Sequence, residues 1–413
     1  MKFGLATTRY LLSSLDNPHR SFVSVHIAGT NGKGSTAAMI ASVLTATGYK
    51  VGLYTSPHLI RLTERIRING REISDEDIAD YVARLRPHIE RRSATFFEAT
   101  TAVALRYFAD QKVDVAIVES GLGGRLDSTN VLTPLVSVIT SIGLDHTELL
   151  GNTISSIARE KGGIIKPGVP CFVGRVESSA QRVLEKIALS KEAPIRFVQD
   201  DTSTATQSQS VWGSTVDVNS NHFSLHNLEC SLPGDFQMGN IALSLQVLDT
   251  LQKTNFASIR ERTIREGLAN VRKYTGVRCR CEVLSTRPLI IADVAHNPAA
   301  ISSLVKTLNL LGLRRTVTVF GIMRDKDLGA MVSELVRLQS EFVAVAPKTE
   351  RALEPEKIVE MFHRRGERCV RAGDIRVGVR LAFQRAGSDR AIIVTGSHYV
   401  VGEFLQEFGD IIT

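Results

Sequence analysis

The residues best suited to chemistry lie in the glycine-rich segment 29–36, whose sequence is GTNGKGST. An apolar segment precedes it and a helix-forming segment follows, which is the strand–loop–helix setting that a phosphate-binding loop requires. Glycines let the backbone curl so that several N–H groups point at phosphate oxygens, and the helix N-terminus adds partial positive charge. Lys33 can reach the outer phosphates of a nucleotide. The segment therefore predicts a polyphosphate site.

The match to the strict phosphate-loop pattern G-x-x-x-x-G-K-[ST] is incomplete. Ile27 stands where the first glycine of the pattern falls, and Gly34 follows the lysine in place of Ser or Thr. The hydroxyls of Ser35 and Thr36 come next and still lie near the loop. A glycine-rich turn that binds nothing is the alternative, but the position between a strand and a helix favours the phosphate site.

The elements that must position this loop follow from alternating strand-like and helix-like segments. Apolar runs predict strands at Val23–Ala28, 51–55, 113–118 and 135–140. A helix is predicted over 35–47, directly after the loop. Ser74, followed by three acidic residues, predicts the start of a second helix that continues to Arg92. Such β–α alternation indicates a doubly wound, mainly parallel sheet.

Two later regions differ from the first. Segment 200–230 is rich in Ser, Thr, Asn and Gln and predicts antiparallel hairpins or loops at the edge of the first domain. A second α/β series begins near residue 280, with strands predicted at 288–294, 316–321, 342–346 and 391–395 and a helix at Pro298–Leu310. We place the linker at 273–276. The sequence thus predicts two α/β domains, 1–276 and 277–413, with a ligand cleft between them.

Composition and charge narrow the functional class. The chain has 413 residues, 43% of them hydrophobic and 23% charged, which suits folded domains rather than disorder. Its net charge of +7 comes from scattered Lys and Arg, without the basic and aromatic runs of single-strand binders, so we expect no nucleic-acid partner. We found no apolar stretch of membrane-spanning or signal-peptide type. Five cysteines do not form a disulfide framework, and we expect reduced thiols in the cytoplasm.

Further motifs follow in order along nearly the whole chain. They are YTSPHL at 54–59, ESGLGGRLD at 119–127, SIGLDH at 141–146, EKGGIIKPG at 160–168, DVAHNP at 293–298, FGIMRDKD at 320–327 and GSHY at 396–399. Together with GTNGKGST, this series resembles the Mur ligase superfamily and, within it, the folylpolyglutamate synthases, including bacterial enzymes that are also dihydrofolate synthases. The phosphate loop lies closer to the start of the chain than in typical members, so we expect a short N-terminal segment to be missing.

The resemblance implies an ATP-dependent ligase that joins L-glutamate to a folate. A carboxylate of the pterin substrate attacks the γ-phosphate of ATP, and the amino group of glutamate then attacks the acyl phosphate. The implied fold is a phosphate-loop ATPase domain with a small antiparallel part, followed by a smaller Rossmann-like domain. A monomer is implied as well. The sequence leaves open whether dihydropteroate is used besides tetrahydrofolate, and whether a monovalent cation is needed.

The resemblance also implies two magnesium ions, with Ser56, Glu119 and His146 as ligands. Hydroxyl and carboxylate oxygens are ligands that Mg²⁺ prefers, whereas histidine is less usual. Taken singly, the three residues have plainer interpretations as a turn cap, a strand-end charge and a loop imidazole. Lys161 matches a catalytic lysine that many members carry in carbamylated form, in which a carboxylate replaces the cation and helps to hold the second ion. An ordinary helix lysine is the alternative.

Nucleotide contacts are implied from both domains. Within the phosphate loop they come from Thr30, Asn31, Gly32, Lys33, Gly34 and Ser35. The resemblance further implies Asn240 near the nucleotide, Arg280 on phosphate charge and Asp293 on the ribose hydroxyls. Catalytic roles fall to Lys33, which binds phosphate, and to His296 beside the transferred phosphate. Arg278 is an alternative to Arg280, and the spacing to Asp293 favours Arg280.

The pterin substrate is expected along two short segments. Their residues are Thr95, Phe96, Phe97 and Glu98 in the first, and Leu126, Asp127 and Ser128 in the second. Aromatic faces can stack on a pterin ring, and an acidic group can pair with its N–H donors. Simple core packing of the two phenylalanines is an equally strong alternative.

Two other functions remain open at this stage. Another Mur-type ligase acting on a different carboxylate is the first, although such enzymes usually have a separate N-terminal domain, for which the residues before the loop leave no room. A non-ligase phosphate-loop protein is the second. The guanine motif N-K-x-D of a GTPase is absent from the sequence, which argues against that class.

Overall fold

The computed structural model describes residues 4–412, and its first sheet holds the phosphate loop. The strands of this sheet are β1 (Val23–Ala28), β2 (Val51–Tyr54), β3 (Ile66–Ile68), β4 (Arg71–Glu72), β5 (Val115–Glu119), β6 (Val136–Ile139), β7 (Cys171–Val173) and β8 (Ile195–Phe197). Their order is β4-β3-β2-β5-β1-β6-β7-β8. Strands β3 and β4 are antiparallel additions at one edge, and the others run parallel. The parallel strands are almost wholly apolar because helices cover both faces.

Helices of this region surround the sheet. They are α1 (Ala6–Ser13), α2 (Lys33–Ala46), α3 (Asp75–Arg92), α4 (Phe96–Asp110), α5 (Thr147–Leu150), α6 (Ile154–Gly162), α7 (Ser178–Ser190) and α8 (Val198–Asp201), with 3-10 turns at Pro18–Arg20, Leu62–Arg65 and Ser128–Val131. Helix α2 has small or apolar residues on every side and is buried from Gly34 to Leu44, as expected for a central helix. Ser74 caps α3 as predicted, because its hydroxyl accepts a hydrogen bond from the Asp77 amide.

A small antiparallel sheet follows, as segment 200–230 predicted. Its strands are β9 (Thr202–Ser210), β10 (Gly213–Ser220) and β11 (Ser224–Cys230), in the order β11-β10-β9. Along β10 the buried residues alternate with partly exposed ones, so that one face packs onto the core around α2. The helices α9 (Gln237–Lys253), α10 (Glu261–Ala269) and α11 (Val271–Thr275) then lead to the second α/β series.

The second series forms a separate sheet. Its strands are β12 (Glu282–Thr286), β13 (Leu289–Ala292), β14 (Val317–Phe320), β15 (Glu341–Val345), β16 (Cys369–Gly373) and β17 (Ile392–Thr395). They lie in the order β12-β13-β17-β14-β15-β16, with β12 antiparallel to the rest. The helices are α12 (Pro298–Leu310), α13 (Leu328–Leu335), α14 (Pro355–His363), α15 (Ile375–Ala386) and α16 (His398–Ile412), with a 3-10 turn at Val336–Leu338. One core lies on each face of this sheet.

The fold class is therefore confirmed: two α/β units with mainly parallel sheets and a small antiparallel part. The sequence missed β12 and β16, the two edge strands of the second unit, and the short strands β3, β4, β7 and β8 of the first. The boundary at residue 276 stays a prediction. Helices long and apolar enough to cross a membrane do not occur between residues 4 and 412. All five cysteines are buried and unpaired, as expected.

Replacing Gly267 by alanine should destabilise the first unit. At this glycine α10 approaches α2 so closely that the Ser42 hydroxyl donates to the Gly267 carbonyl at 2.6 Å. A Cβ there would lie 2.5 Å from the Val43 Cα, so the helices would have to separate. We expect the free energy of unfolding in urea to fall by about 2 kcal/mol. Gly239→Ala, at an exposed helical position with open space, is the control and should not lower it; an unchanged Gly267→Ala would contradict the packing argument.

Candidate active site

The phosphate loop joins β1 to α2 and is braced by its neighbours. The Thr30 amide donates to the Ser141 carbonyl at 2.9 Å, which ties the loop to the segment after β6. Gly32 has a left-handed φ of 86°, and a Cβ there would lie 2.5 Å from the Asn240 Oδ1. Asn240 also accepts a hydrogen bond from the Thr36 hydroxyl at 3.3 Å. The predicted nucleotide residue Asn240 thus lies directly against the loop.

Gln237 contacts the loop from the same helix. Its amide donates to the Ser35 hydroxyl at 3.5 Å and its oxygen accepts from the Asn240 amide at 2.8 Å. The hydroxyls of Ser35 and Thr36 are therefore both engaged by α9 and are buried. Sequence reasoning missed Gln237, although it lies three residues before Asn240 and so on the same face of the helix.

Glu119 and Ser56 lie together beside Lys33. Glu119 is the last residue of β5 and Ser56 comes shortly after the neighbouring parallel strand β2, so the sheet brings them to one edge. The Ser56 amide donates to the Glu119 Oε2 at 3.4 Å, and the Lys33 ammonium lies 3.8 Å from the Glu119 Oε1. Burial raises the pKa of Glu119, and the charges of Lys33 and Arg280 oppose that shift. A buried carboxylate beside a serine and a phosphate loop is a suitable donor set for Mg²⁺.

Lys161 is buried on α6 beneath the loop. Its ammonium donates to the Gly29 carbonyl at 2.8 Å. Burial, followed by the charge of Lys33, lowers the pKa of Lys161 to about 7. A large fraction of this amine is therefore neutral near physiological pH, and only the neutral amine can add carbon dioxide. The environment meets the chemical requirement for carbamylation, which itself stays a prediction.

Asp145 links the two units. Its Oδ1 lies 2.6 Å from the Lys326 ammonium, and its Oδ2 accepts from the Asn297 amide at 3.0 Å. The His296 Nε2 lies 3.6 Å from the same Oδ2. Asn297 and Asn31 exchange a reciprocal pair of amide hydrogen bonds of 3.1 and 2.9 Å. The phosphate loop and the loop after β6 are thus bound to the start of α12 and to the loop after β14.

Burial and neighbouring charges shift the pKa values of Asp145 and of the adjacent His146. Burial raises the pKa of Asp145, but the neighbouring His296 and the charge of Lys326 outweigh it, so the pKa lies well below its usual range. Burial lowers the pKa of His146 to about 4, with Asp145 opposing the shift. A neutral imidazole can bind a metal ion. His146 therefore has the protonation state that its predicted role requires.

The predicted metal ligands are only partly assembled. Ser56 and Glu119 are in contact, but no hydrogen bond or ion pair of the described residues joins either to His146. Residues 4–412 also contain no group of three or more His, Cys, Asp or Glu side chains arranged for a metal ion. That absence does not bear on the predicted ligands, because Ser56 and Lys161 are not of these four residue types.

Arg280 faces the phosphate loop from the second unit. A Cβ at Gly34 would lie 3.2 Å from the Arg280 Nη2 and 3.4 Å from the Glu119 Oε2. This close approach explains why glycine follows the lysine of the loop. Arg278, the alternative, is held by Glu282 at 2.7 Å instead. The geometry therefore agrees with the choice of Arg280.

Asp293 and His296 follow β13 in the second unit. Both oxygens of Asp293 accept backbone hydrogen bonds, from Cys281 at 2.7 Å and from Ala295 at 2.8 Å. Burial raises the pKa of Asp293, and the charge of Arg280 opposes the shift. His296 donates from Nδ1 to the Val294 carbonyl at 2.9 Å, which fixes the ring orientation. A ribose contact by Asp293 and a phosphate contact by His296 stay predictions.

His398 is a residue to which sequence reasoning assigned no role. It begins α16, its ring centroid lies 5.2 Å from that of His296, and it lines the same cavity as Ser56, Glu119 and Arg280. Burial, followed by the charges of His296 and Arg280, holds the pKa of His398 well below its usual range. The motif GSHY pointed to this position. Lys326, Asn297 and Asp145 each lie in one of the sequence motifs, but nothing in the sequence indicated that they contact one another across the two units.

The first pterin segment, Thr95–Glu98, begins α4. Glu98 closes a capping box, since its Oε2 accepts from the Thr95 amide at 2.7 Å and from the Thr95 hydroxyl at 2.8 Å. Phe97 is partly buried and packs against the core, 6.1 Å from the Tyr54 ring and close to Gly121. Phe96 is 56% exposed, with the Arg65 guanidinium 5.3 Å from its ring centroid. Phe96 is therefore the more open of the two rings, and a pterin contact by either stays a prediction.

The second pterin segment, 126–128, enters a 3-10 turn. Asp127 is buried and accepts hydrogen bonds from the Leu122 amide at 2.7 Å and from the Thr129 hydroxyl at 2.5 Å. Burial raises the pKa of Asp127, and the hydrogen bonds with Thr129 and Leu122 oppose the shift. Leu126 is half-buried and Ser128 is buried. Asp127 thus holds its own turn, and its pairing with a pterin stays a prediction.

The fold and the site together define an ATP-dependent ligase of the Mur type. Residues 27–248 match the Mur ligase middle domain, and residues 279–398 match the Mur ligase glutamate ligase domain. The chain belongs to the folylpolyglutamate synthase and dihydrofolate synthase family of these ligases. This membership removes the alternatives of a different Mur-type ligase and of a non-ligase phosphate-loop protein.

The family membership rests on matches over nearly the whole chain. The folylpolyglutamate synthase of Lacticaseibacillus casei is 37% identical, over 96% of this chain and 92% of the relative. The dihydrofolate synthase/folylpolyglutamate synthase of Bacillus subtilis is 34% identical, over 98% of this chain and 94% of the relative. The structure of Escherichia coli FolC in complex with DHPP and ADP superposes with a TM-score of 0.89 at 29% identity, covering 99% of this chain and 94% of that one.

Proposed function

We propose that the enzyme joins L-glutamate to tetrahydrofolates, extending their polyglutamate tail, and also to dihydropteroate, forming dihydrofolate. The observation that supports this most is the convergence of Lys33, Glu119 and Arg280 on the phosphate loop from two domains. Such a cluster can bind a polyphosphate between the domains and stabilise the charge that develops when its terminal phosphate is transferred. The choice of a folate and of dihydropteroate as acceptors is supported by the relatives, which are folylpolyglutamate synthases and dihydrofolate synthases.

The residues of the chain would act in two steps. In the first, Lys33 and Arg280 hold the outer phosphates of ATP while a substrate carboxylate attacks the γ-phosphorus and ADP leaves. In the second, the amino group of glutamate attacks the acyl carbon, the bond to phosphate breaks, and the amine loses its proton. His296, with its ring fixed by the Val294 carbonyl, would contact the transferred phosphate. Holding both reactants in one cleft supplies much of the rate enhancement.

We further propose that Ser56, Glu119 and His146 bind one Mg²⁺ and that carbamylated Lys161 helps to bind a second. Magnesium supplies neutralisation of phosphate charge and orientation of the phosphoryl group. The buried Glu119 carboxylate, opposed by a single ammonium at 3.8 Å, supports the first site. The low pKa of Lys161, about 7, supports the second. Assays with and without potassium would show whether a monovalent cation also takes part.

The pterin is proposed to lie between the exposed ring of Phe96 and the turn at 126–128. Glu98 supports this placement, because its Oε1 makes none of the hydrogen bonds found among the described residues. We also propose that the enzyme is a cytoplasmic monomer, since its buried unpaired thiols suit a reducing compartment. Light scattering would test the oligomeric state.

Glutamate-dependent release of ADP from Mg-ATP should occur with dihydropteroate and with tetrahydrofolate, each offered separately. Release with tetrahydrofolate alone would restrict the enzyme to polyglutamylation. Release with neither acceptor would contradict the proposed function. Omitting glutamate is the control, because a ligase should not turn over ATP steadily without its amine substrate.

A further inference from the structure

Arg280 lies between two residues with unusual backbone geometry. Cys279 and Cys281 have φ values of 56° and 48°, in the left-handed region that residues with a Cβ rarely adopt. Two such residues separated by one position form a sharp zigzag. Conformations of this kind persist only where surrounding contacts hold them, and they cluster at functional sites. The contacts that hold this segment therefore determine where Arg280 points.

A carboxylate holds each of the two cysteines. The Cys281 amide donates to the Asp293 Oδ2 at 2.7 Å, and the Cys279 amide donates to the Glu282 Oε2 at 2.6 Å. Hydrogen bonds from backbone amides to ionised carboxylates are roughly twice as strong as bonds between neutral groups. Asp293 already belongs to the predicted nucleotide site, whereas Glu282, the first residue of β12, has no role in the proposed function.

The thiols fix the segment from the other side. Cys279 is buried in the core on one face of the second sheet, with Val294 among its members, and Cys281 in the core on the opposite face, with Ile301. Because the two flanking side chains enter different cores, the residue between them must leave the segment at the edge of the sheet. Arg280 does so, and its guanidinium comes within 3.2 Å of the position of a Cβ at Gly34.

We propose that Glu282 is a positioning residue for Arg280. Its carboxylate fixes the Cys279 amide, so the left-handed turn is held and the guanidinium is directed at the phosphate loop. This inference rests on the proposed contact between Arg280 and the phosphates of ATP. It assigns Glu282 to nucleotide binding without any contact between Glu282 and the nucleotide.

A simple ion pair with Arg278 does not account for Glu282. The side chain of Arg278 is 45% exposed, whereas that of Glu282 is only 12% exposed. Pairs with one partner near solvent contribute little, and burying a carboxylate for such a pair would be unfavourable. The buried amide of Cys279, 2.6 Å from the Glu282 Oε2, is the partner that offsets the cost of burying the Glu282 carboxylate.

The test is a double-mutant cycle on the binding of Mg-ADP, measured by calorimetry. Glu282→Ala should weaken binding about tenfold, the size expected for residues that orient a ligand contact. In an Arg280→Ala background the same change should weaken binding less than about twofold, because the residue that Glu282 positions is gone. Glu282→Gln keeps an oxygen acceptor for the Cys279 amide and should restore most of the affinity.

Glu341→Ala is the matched control, since Glu341 binds two arginines, Arg385 and Arg390, at the far end of the domain's strands. It should leave the affinity for Mg-ADP unchanged. An equal loss in both backgrounds, or no loss in either, would overturn the proposal. If Glu282→Ala does not fold, as thermal unfolding would reveal, the cycle is run with Glu282→Leu, which fills the space of the carboxylate but gives the Cys279 amide no acceptor, and a loss that depends on Arg280 is still required. ADP binding needs no folate, so a wrong acceptor assignment would leave this result intact.

Discussion

Lys161→Ala should lower kcat by about a hundredfold or more, while the enzyme still folds and binds nucleotide. The ammonium is buried with one hydrogen bond, to the Gly29 carbonyl at 2.8 Å, and no ion pair among the described residues offsets its charge. A lysine kept only for stability would not be buried in this way, because burying an unpaired cation is costly. Carbamylation would turn it into the anion that a second magnesium ion needs.

The pH dependence gives the sharper form of this prediction. The pKa of Lys161 is lowered to about 7 in the folded protein, so the amine gains a proton as the pH falls below 7 and can no longer add carbon dioxide. Enzyme stripped of carbon dioxide should therefore recover with added bicarbonate above pH 7 and recover poorly below it. Stability has the same direction: the cost of the buried cation is fully present below pH 7 and is relieved as the pH rises.

Lys166→Ala is the matched control for Lys161. Burial lowers the pKa of Lys166 to about 8, and its ammonium donates to the Asn130 carbonyl at 2.8 Å. We have placed no part of the reaction on Lys166, so this variant should keep both its activity and its response to bicarbonate. Short carboxylates added to Lys161→Ala should restore part of the rate. Full activity of Lys161→Ala would remove this residue from the mechanism.

The parts of the site that the sequence predicted are those that a parallel sheet determines by itself. Glu119 and Ser56 each follow a short apolar strand, and the carboxyl ends of parallel strands lie at one edge of a sheet. Alternation of strands and helices was enough to place them together, and the structure joins them at 3.4 Å. Phosphate-loop geometry is similarly local, since it depends on a few glycines between β1 and α2.

Contacts between the two domains could not be predicted in this way. Asn31 bonds to Asn297, and Asp145 bonds to Lys326, over separations of 266 and 181 residues. Which side chains meet there depends on how two separately folded sheets pack, and neither periodicity nor spacing contains that information. The motifs marked these positions as notable, but only their geometry assigns them partners.

The start of α4 had a signal in the sequence that was not used. Thr95 and Glu98 are three residues apart ahead of an apolar run, which is the pattern of a capping box. The structure confirms that cap, and with it the start of α4 at Phe96. Once the start of the helix is known, Phe96 and Phe97 must point in different directions, because successive helical residues are about a hundred degrees apart. This rotation accounts for the exposed ring of Phe96 and the partly buried ring of Phe97, and a pterin contact by either ring stays a prediction.

The two strands missed in the second unit illustrate a different limit. β12 and β16 lie at the edges of the second sheet, where only one neighbour and part of one face contribute burial. Their residues are accordingly mixed, and β12 contains buried Glu282 while β16 contains exposed Arg371. Periodicity detects strands through their apolar residues, so strands of this composition cannot be distinguished from loops.

Lys33→Ala should lower kcat about a thousandfold. Lys33 is the only cation within ion-pair distance of Glu119 among the described residues. Its removal would leave a buried carboxylate facing the phosphates of ATP with less compensation. The polyphosphate would then lose one of the positive charges that bind it.

The kinetic effect of Lys33→Ala distinguishes Lys33 from a lysine that only attracts anions. Loss of a simple electrostatic contact should weaken ATP binding, and less so at high salt concentration. It should leave kcat near normal at saturating ATP. Loss of a group that acts on the transition state should lower kcat even with saturating ATP. Lys253→Ala, which breaks an exposed pair with Asp249 on α9, controls for net charge. A normal kcat for Lys33→Ala at saturating ATP would contradict the proposed phosphate transfer at this loop.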